Sequence, residues 1–346
     1  MSRRSLTLLI AGLATLVAVG VSVFVPVPYV VLMPGPTLNT LGTDSSGTPL
    51  ITITGHQTYP TRGNLNMVTV SYTGAPPPDT GVNIFQALRA WLNPSEAVVP
   101  ASEIFPPGQT AQQTQSQDTA QMAGSQEQAT AAALTTLHIP YQTIVTVVSA
   151  VKGDPAYGIL KVGDVIASVN GTTVTGASSL TSLITKYPAG TVLQVVVSRG
   201  GRQVPVSVAT KEAGGRPIMG ISVQEGYKFP FTVKFSVGDI GGPSAGMMFA
   251  LGIIDKLSPL NLTGGKFIAG TGEITAAGQV EPIGGIQQKM VGARDAGATV
   301  FLTPAANCPD TLGAVPAGLR VVKVSTLSQA VSDLEALKAG KSVPSC

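Results

Sequence analysis

Residues 238–255 place one serine among small residues, in the run G-P-S-A-G at residues 242–246. This run matches the pattern G-x-S-x-G, in which a serine on a sharp turn before a helix can act as a nucleophile. A serine hydroxyl is a weak nucleophile until a neighbouring base takes its proton. The alternative role of Ser244 is structural, because a serine at a helix start satisfies the free backbone amides there. The chemistry therefore depends on whether the chain supplies a base.

Histidine is the usual base for a catalytic serine, and the chain has two histidines. In α/β-hydrolases the order along the chain is serine, then an acid, then histidine. His56 and His138 both precede Ser244, which excludes that arrangement. Serine triads in other folds place the histidine first. However, His56 lies in a predicted hairpin turn and His138 follows a predicted helix, so both are interpreted as loop or surface residues.

A lysine can replace histidine when burial lowers its pKa enough for the amine to accept a proton. The pattern S-x-x-K occurs at residues 149–152, but without the S-D-N and K-T-G motifs that accompany it in penicillin-binding proteins. Lys289 is the better candidate, because it shares one face of a predicted helix with Ile286, Met290 and Ala293. A lysine on that apolar face must either extend to water or lose its charge. A purely structural lysine at the edge of the face is the alternative.

The serine and lysine segments together resemble the proteolytic domain of Lon-type peptidases. The motifs P-S-A-G, T-G-E-I and G-x-V-x-P-I-G-G and the downstream lysine occur in the order of that family. The resemblance implies that Ser244 is the nucleophile and Lys289 its general base. It also implies supporting roles for Thr271 and Glu273 of the T-G-E motif, with the threonine expected to hold the lysine.

Backbone amides around the serine are expected to stabilise the oxyanion of the reaction, which assigns Gly242, Pro243 and Ala245 to this role. One position departs from the family pattern. The acidic residue that usually stands three positions before the serine is Gly241 here, and Asp239 is the nearest carboxylate. This departure weakens any role assigned to an acid and leaves the serine–lysine pair intact.

Residues 141–210 show a second pattern. The sequence predicts strands on both sides of an Asn170–Gly171 turn and a short helix at residues 180–187. With PAYGILKVGDVIASVNG at its centre, this region resembles a PDZ domain of the bacterial protease-associated kind, which implies binding of an extended peptide at a sheet edge. No clear carboxylate-binding loop precedes Thr143, and residues 217–221 are a poor candidate. Recognition of C-termini, recognition of internal segments and a spacer role all remain open.

Residues 5–25 form an uncharged apolar run that is long enough, as a helix, to cross a membrane. Arg3 and Arg4 precede it, so the positive-inside rule predicts a cytoplasmic N-terminus and extracytoplasmic domains. The alternative is a cleaved signal peptide, because residues 18–20 have the small-x-small spacing of a cleavage site. Both interpretations export the chain.

Between the apolar run and the PDZ-like region the signals are weaker. Residues 26–41 are predicted to be extended, and residues 50–72 to form two strands, which we expect to complete the sheet of the peptidase domain. A helix is predicted at residues 82–92. The polar residues 109–128 are predicted to be a linker or a weakly packed helix.

Composition limits the function classes. Charged residues make up 11% of the chain and the net charge is +3, so nothing indicates nucleic-acid binding. No metal-ligand spacing or cofactor motif occurs, and no G-x-x-x-x-G-K-[ST] loop occurs, so we expect neither metal nor nucleotide. The two cysteines, Cys308 and Cys346, could pair in an oxidising compartment, and the sequence leaves that pairing open.

The predicted fold class is α+β: a Lon-type proteolytic domain and a PDZ-like β-sandwich or barrel, preceded by one transmembrane helix. The predicted boundaries are residues 1–26 for the membrane segment, 27–125 for an extracytoplasmic region with a linker, 126–211 for the PDZ-like domain and 212–346 for the peptidase. This arrangement resembles the membrane-anchored PDZ-Lon peptidases of Gram-positive bacteria.

That resemblance implies an ATP-independent serine endopeptidase that cleaves flexible or unfolded extracytoplasmic proteins. An inactive scaffold protein at the cell surface is the alternative, and a transpeptidase or esterase could use the same residues. The Lon resemblance allows a homo-oligomer without requiring one. The sequence does not name the substrate or the cleavage motif.

Overall fold

The structure is a computed structural model that describes residues 3–44, 46–74, 81–106 and 108–346. The chain forms two compact units. One unit combines Met1–His138 with Thr232–Cys346 and is termed the split unit. The other is Ile139–Phe231 and is termed the inserted unit.

The secondary structure follows the two units in chain order. The first part of the split unit contains α1 (Arg3–Phe24), β1 (Tyr29–Asn39), β2 (Ile51–Thr54), β3 (Asn64–Thr73), α2 (Ile84–Trp91), β4 (Ala97–Pro100), α3 (Ala101–Ile104) and α4 (Ala111–Thr136). The inserted unit contains β5 (Gln142–Ala150), β6 (Val165–Val169), β7 (Thr172–Thr173), α5 (Ala177–Thr185), β8 (Val192–Arg199), β9 (Arg202–Ala209), β10 (Lys211–Ala213), β11 (Arg216–Ile218) and β12 (Ile221–Lys228). The split unit resumes with β13 (Thr232–Phe235), α6 (Gly246–Leu257), β14 (Phe267–Gly270), β15 (Glu273–Ile274), β16 (Val280–Glu281), α7 (Ile286–Asp295), β17 (Val300–Pro304), a 3₁₀ turn (Ala305–Asn307), α8 (Cys308–Thr311), β18 (Arg320–Val324) and α9 (Leu327–Lys338).

A six-stranded mixed sheet forms the centre of the split unit, in the order β18-β17-β14-β3-β1-β4. The first four strands in this order are parallel, and β1 is antiparallel to β3 and β4. Every residue of β17 is buried, as expected of a mainly apolar strand inside a parallel sheet. Helix α7 packs on β1 and β3, and α6 also contacts β3. The sheet therefore fixes the two helices that carry the predicted serine and lysine segments.

The two strands predicted within residues 50–72 both form, but they join different sheets. Strand β3 lies between β1 and β14 in the central sheet, as expected. Strand β2 instead pairs with β13 in a separate two-stranded sheet. The connection between β2 and β3 is too long to impose the register of a hairpin, so each strand pairs with a distant partner.

Residues 111–128 belong to the long helix α4, so of the two interpretations the linker is wrong and the helix is present. Helix α4 begins with a capping box, in which Thr110 Oγ1 accepts from Gln113 N and Gln113 Oε1 accepts from Thr110 N. Its second half is buried at consecutive small residues from Ala129 to Ala133 and packs on α6. Small side chains allow two helices to pack closely, which a search for large apolar residues does not detect.

The inserted unit is built on a sheet in the order β12-β5-β6-β8-β9, with β7 paired to β6. Its core includes Val147, Ile166, Leu193 and Val197. The predicted Asn170–Gly171 turn joins β6 to β7, and both residues have positive φ. The predicted helix is present as α5, which starts and ends slightly earlier in the chain.

The predicted boundaries at residues 126, 211 and 212 differ from those of the structure. Helix α4 lies in the split unit because it packs on α6. Strand β12 lies in the inserted unit because it pairs with β5 from Ile221 to Lys228. Residues 27–125 are likewise not a separate region, since β1, β3 and β4 belong to the central sheet.

Two features at the ends of the chain complete the fold. Helix α1 is long and apolar enough to cross a membrane, with a mean hydropathy of 2.4 and no buried residues; a signal sequence would meet the same test. Cys308 and Cys346 form a disulfide with Cα atoms 5.1 Å apart. This bond ties the C-terminal segment to α8, and Ser345 also bridges to Val322 of β18.

Candidate active site

Ser244 lies in the turn immediately before α6, and it is half-buried. The N-cap residue of this helix is Ala245, and no side chain makes a capping hydrogen bond there. The structural alternative for Ser244, that its hydroxyl caps the helix, therefore does not hold in the structure. The helix behind the turn is buried along nearly its whole length, which fixes the serine on a rigid support.

The backbone of this turn is held by partners from two other segments. Ser244 O accepts hydrogen bonds from Thr271 Oγ1 at 2.9 Å and from Gly272 N at 2.8 Å. Pro243 O accepts from Ser125 Oγ of α4 at 2.8 Å. All three contacts use backbone carbonyl oxygens, so the Ser244 hydroxyl takes no part in holding the turn.

Lys289 lies on α7 with only 4% of its surface exposed. Its Nζ donates to Thr271 Oγ1 at 3.3 Å, and no carboxylate in the described residues forms an ion pair with it. Burial lowers the pKa of Lys289 to about 8. An amine with this pKa is partly neutral near physiological pH, which is the form that can accept a proton.

Ser244 and Lys289 line the same cleft, which has a volume of about 550 Å³. One wall comes from α4, and the others come from β1, β3, α3, the segment before α6 and the turn before α7. The charged residues of the lining other than Lys289 are acidic: Glu103, Asp118 and Asp239. Asp118 is half-buried, and this burial raises the pKa of its carboxyl group.

The backbone donors differ from those expected. Pro243 has no N–H, and Gly242 N already donates to Asp118 O at 2.9 Å. The N–H groups of Ser244 and Ala245 have no acceptor within the part of the chain that the structure describes. Both precede α6, whose positive N-terminal end favours a developing negative charge. The candidate oxyanion donors are therefore the amides of Ser244 and Ala245.

The structure brings Thr271 to the pair but not Glu273. Thr271 is fully buried and contacts both Ser244 and Lys289. Glu273 lies opposite Glu281 in the β15–β16 pair, where burial and then the Glu281 charge raise the pKa of its carboxyl group. Its side chain makes no hydrogen bond or ion pair with any described residue.

The other sequence candidates are remote from this cleft. His56 is in the exposed loop after β2, and His138 follows α4; neither lines the cleft. Residues 149–152 lie at the end of β5 in the inserted unit. Within the described ranges, no group of three or more His, Cys, Asp or Glu side chains could hold a metal ion.

Helix α4 is the part of the site that sequence reasoning missed. Its residue Asp118 packs directly on Gly241, where an added Cβ would lie 2.6 Å from Asp118 Cβ. Ser125 and the Asp118 carbonyl hold the turn before Ser244. The T-x-x-Q capping signal at Thr110 was available in the sequence, but nothing in the sequence indicated which surface the helix covers.

Comparison with known protein families finds one match in each unit, and each match covers only part of the chain. Residues 236–336 match the Lon protease (S16) C-terminal proteolytic domain, and residues 114–210 match a PDZ domain. The chain carries a Lon-type proteolytic domain and a PDZ domain. The PDZ match and the inserted unit differ at both ends, and strand pairing favours the bounds of the inserted unit, because it includes β12 and excludes α4.

Similarity to individual proteins covers limited lengths. The Lon protease of Roseiflexus castenholzii is 45% identical over 69 residues, which are 20% of this chain and 8% of that protein. The Lon protease of Heliobacterium modesticaldum is 41% identical over 96 residues, 27% of this chain and 11% of that protein. The chain thus spans about a tenth of the length of these relatives. Among solved structures, the PDZ domain of the SdrC-like protein of Listeria innocua is 24% identical, with a TM-score of 0.22, and covers 23% of this chain and 92% of that chain.

The close contact between Gly241 and Asp118 predicts that Gly241→Ala loosens α4 from the turn before Ser244. The added methyl group overlaps Asp118 Cβ, and overpacking of this kind costs about 1–3 kcal/mol. We expect faster amide hydrogen exchange in the first half of α4 and at Gly242, measured by mass spectrometry or NMR.

Gly284→Ala is the matched control, because Gly284 lines the same cleft, has no positive φ and has no atom within 4 Å of an added Cβ. Exchange in α4 should be unchanged in this variant. Equal exchange in Gly241→Ala and Gly284→Ala would contradict the packing of α4 on the turn.

Proposed function

We propose that this protein is a serine endopeptidase that uses Ser244 and Lys289 as a catalytic dyad. The observation that carries the proposal is that a buried lysine with a pKa of about 8 and a half-buried serine line one cleft. The match of residues 236–336 to the Lon proteolytic domain supports it. Serine peptidases need a nucleophile, a base of suitable pKa and oxyanion donors, and the cleft offers a candidate for each.

The proposed reaction begins with the neutral amine of Lys289 accepting the proton of the Ser244 hydroxyl. Ser244 Oγ then forms a bond to the scissile carbonyl carbon, and the oxyanion takes the amides of Ser244 and Ala245 as donors. Lys289 returns the proton to the leaving amine as the peptide bond breaks. Lys289 then takes a proton from water as the water oxygen attacks the acyl carbon. It returns that proton to Ser244 Oγ as the ester bond breaks and the carboxyl product leaves.

Thr271 acts in this proposal as a positioning residue. Its hydroxyl accepts from Lys289 Nζ and donates to Ser244 O, so it connects the base to the turn that carries the nucleophile. The supporting role expected for Glu273 is not part of the proposal, because its side chain makes no hydrogen bond to the dyad.

Substrates in this proposal are flexible or unfolded polypeptides, cleaved without ATP. The chemistry above consumes no nucleotide, and the 346 residues contain no P-loop sequence. A cleft of about 550 Å³ accommodates an extended segment, whereas a folded domain would have to open first.

The decisive experiment follows digestion of an unfolded protein without ATP over a range of pH. We expect wild type to cleave and both Ser244→Ala and Lys289→Ala to lose at least about a thousandfold in kcat/KM. The wild-type rate should rise about tenfold per pH unit up to about pH 8 and stay level above that pH, because only the neutral amine of Lys289 accepts a proton.

Lys323→Ala is the control for this experiment, since Lys323 is exposed on β18 and does not line the cleft. Full activity of Lys289→Ala, or a rate that does not depend on pH below 8, would refute the dyad. A folded wild-type protein that neither cleaves nor reacts with a serine-directed probe would instead be a scaffold. Product masses separate hydrolysis from transpeptidation.

We further propose that the inserted unit binds polypeptide in the groove between α5 and β12. Strand β12 is at the edge of its sheet, and the groove of about 340 Å³ is lined by Leu180, Ile184 and residues 216–221. The amides of Met219 and Gly220 have no acceptor among the residues that the structure describes. We therefore propose residues 217–221 as the carboxylate-binding loop, because they lead directly into the edge strand β12. The region before Thr143 leads into β5, which is not an edge strand.

Peptide binding to the Ser244→Ala protein, measured by calorimetry, tests this groove. We expect Thr181→Arg to abolish binding, because Thr181 is exposed and lines the groove. Ser182→Arg is the matched control on the same helix, since Ser182 is exposed but outside the lining. A peptide with a free C-terminus should bind better than its amidated form. Equal binding by both variants would refute the groove as the site.

The proposal places both units on the outer side of a membrane that α1 spans. Arg3 and Arg4 lie at the N-terminal end of α1, and no charge occurs in the rest of that helix. The Cys308–Cys346 disulfide fits an oxidising compartment. Protease added to intact cells should degrade the two units. Their protection under conditions that preserve the membrane would contradict this topology, and a free, processed N-terminus would indicate a cleaved signal peptide.

A further inference from the structure

We propose that helix α2 is an interfacial membrane helix, whose apolar side inserts into the outer surface of the bilayer and holds the split unit against it. This proposal rests on the proposed membrane span of α1. It goes beyond that span, because it assigns a second and separate membrane contact to the folded part of the protein.

The first observation is a stripe of large apolar side chains on α2 that face solvent. At about 100° per residue, the stripe is about 120° wide. Phe85 is 45% exposed, Trp91 is 75% exposed and Leu92 is 78% exposed. The complete stripe comprises Ile84, Phe85, Leu88, Trp91 and Leu92.

The opposite side of α2 attaches it to the split unit. Ala87 and Ala90 are buried there against Val31 of β1 and Val82. The usual arrangement of a surface helix is thus inverted: small residues pack on the protein and large apolar residues face outward. A contiguous exposed apolar surface on a globular unit usually marks a binding surface.

The second observation identifies the membrane as the occupant of this surface. Only Val25 separates the end of α1 from Pro26, which forms a β-bridge with Asn83, the N-cap of α2. Val27 N also donates to Val82 O at 2.8 Å. These bonds hold the first turn of α2 next to the end of α1. If α1 spans the bilayer, α2 starts at the membrane–water interface.

The chemistry of the stripe matches that location. Tryptophan is enriched at membrane interfaces, where its ring lies at headgroup depth. A short amphipathic helix with Phe, Leu and Trp on one side can lie in the interface plane with that side among the acyl chains. A protein partner would need a complementary surface at the membrane–water interface. Lipid is already present there if α1 spans the bilayer.

Trp91 allows a direct test because it is the only tryptophan in the chain. The full-length protein is reconstituted in phosphatidylcholine vesicles with and without brominated acyl chains. We expect a blue-shifted Trp91 emission that brominated lipid quenches and that aqueous acrylamide does not. Quenching of Trp91 emission by acrylamide would overturn the proposal. A blue-shifted Trp91 emission that brominated lipid does not quench would assign the surface to a protein partner and would also overturn it.

Two variants separate lipid contact from general stability. Leu88→Ser with Leu92→Ser removes two exposed side chains, so the fold should persist, and we expect most of the brominated-lipid quenching to be lost. Leu312→Ser is the matched control, because Leu312 is 72% exposed and lies outside α2; quenching should be unchanged. Quenching that persists in the double variant would contradict the stripe as the contact.

The same vesicles distinguish this proposal from those on which it depends. Flotation of the Leu88→Ser, Leu92→Ser protein with the vesicles reports the span of α1, because this variant lacks two side chains of the α2 stripe. Absence of flotation would refute the span and, with it, the premise of the α2 contact. Cleavage of an unfolded protein in the vesicle sample reports the dyad independently of Trp91 fluorescence. An active, floating protein with a solvated Trp91 would refute the α2 contact alone.

Discussion

The arrangement of the cleft depends on a single buried hydroxyl group. Thr271 Oγ1 has one proton, and the structure directs it to Ser244 O. The same oxygen must therefore act as acceptor toward Lys289 Nζ. A neutral amine that donates one hydrogen to Thr271 retains a second hydrogen and a lone pair. In the proposed mechanism, the threonine thus fixes the backbone at Ser244 and holds Lys289 in an orientation in which the lone pair of its amine is free to accept a proton.

The absence of a carboxylate beside Lys289, within the described residues, suits this chemistry. A paired acid would stabilise the ammonium form and raise the pKa of the lysine. Burial without such a partner lowers that pKa from 10.5 to about 8. Because the unfolded chain binds more protons between these two values, this group contributes more to folding stability as pH rises through that window. The proposed activity should rise below about pH 8 and then level off, whereas this contribution to stability changes between about pH 8 and 10.5.

The sequence pointed to Ser244 and Lys289, which the structure places in one cleft, but it did not indicate the contacts around them, for a physical reason. Ser244 and Lys289 lie in contiguous runs whose small residues and helical spacing are visible locally. The Ser125–Pro243 hydrogen bond joins residues separated by 118 positions and uses a backbone acceptor, which any residue provides. The pairing of β12 with β5, which sets the bounds of the inserted unit, is equally non-local. Composition and periodicity do not encode such contacts.

In the proposed peptidase, the connection from α1 to the cleft limits where a substrate can be cut. Strand β1 starts soon after α1, and its residues Leu32 and Pro36 line the cleft. An extended chain advances at most about 3.6 Å per residue, so Leu32 lies within about 30 Å of the end of α1 at Phe24. If α1 spans the membrane and Phe24 lies at its surface, the part of the cleft lined by Leu32 lies within that distance of the bilayer. Polypeptides with flexible segments close to the membrane surface can then reach Ser244 more readily than proteins free in the surrounding solution.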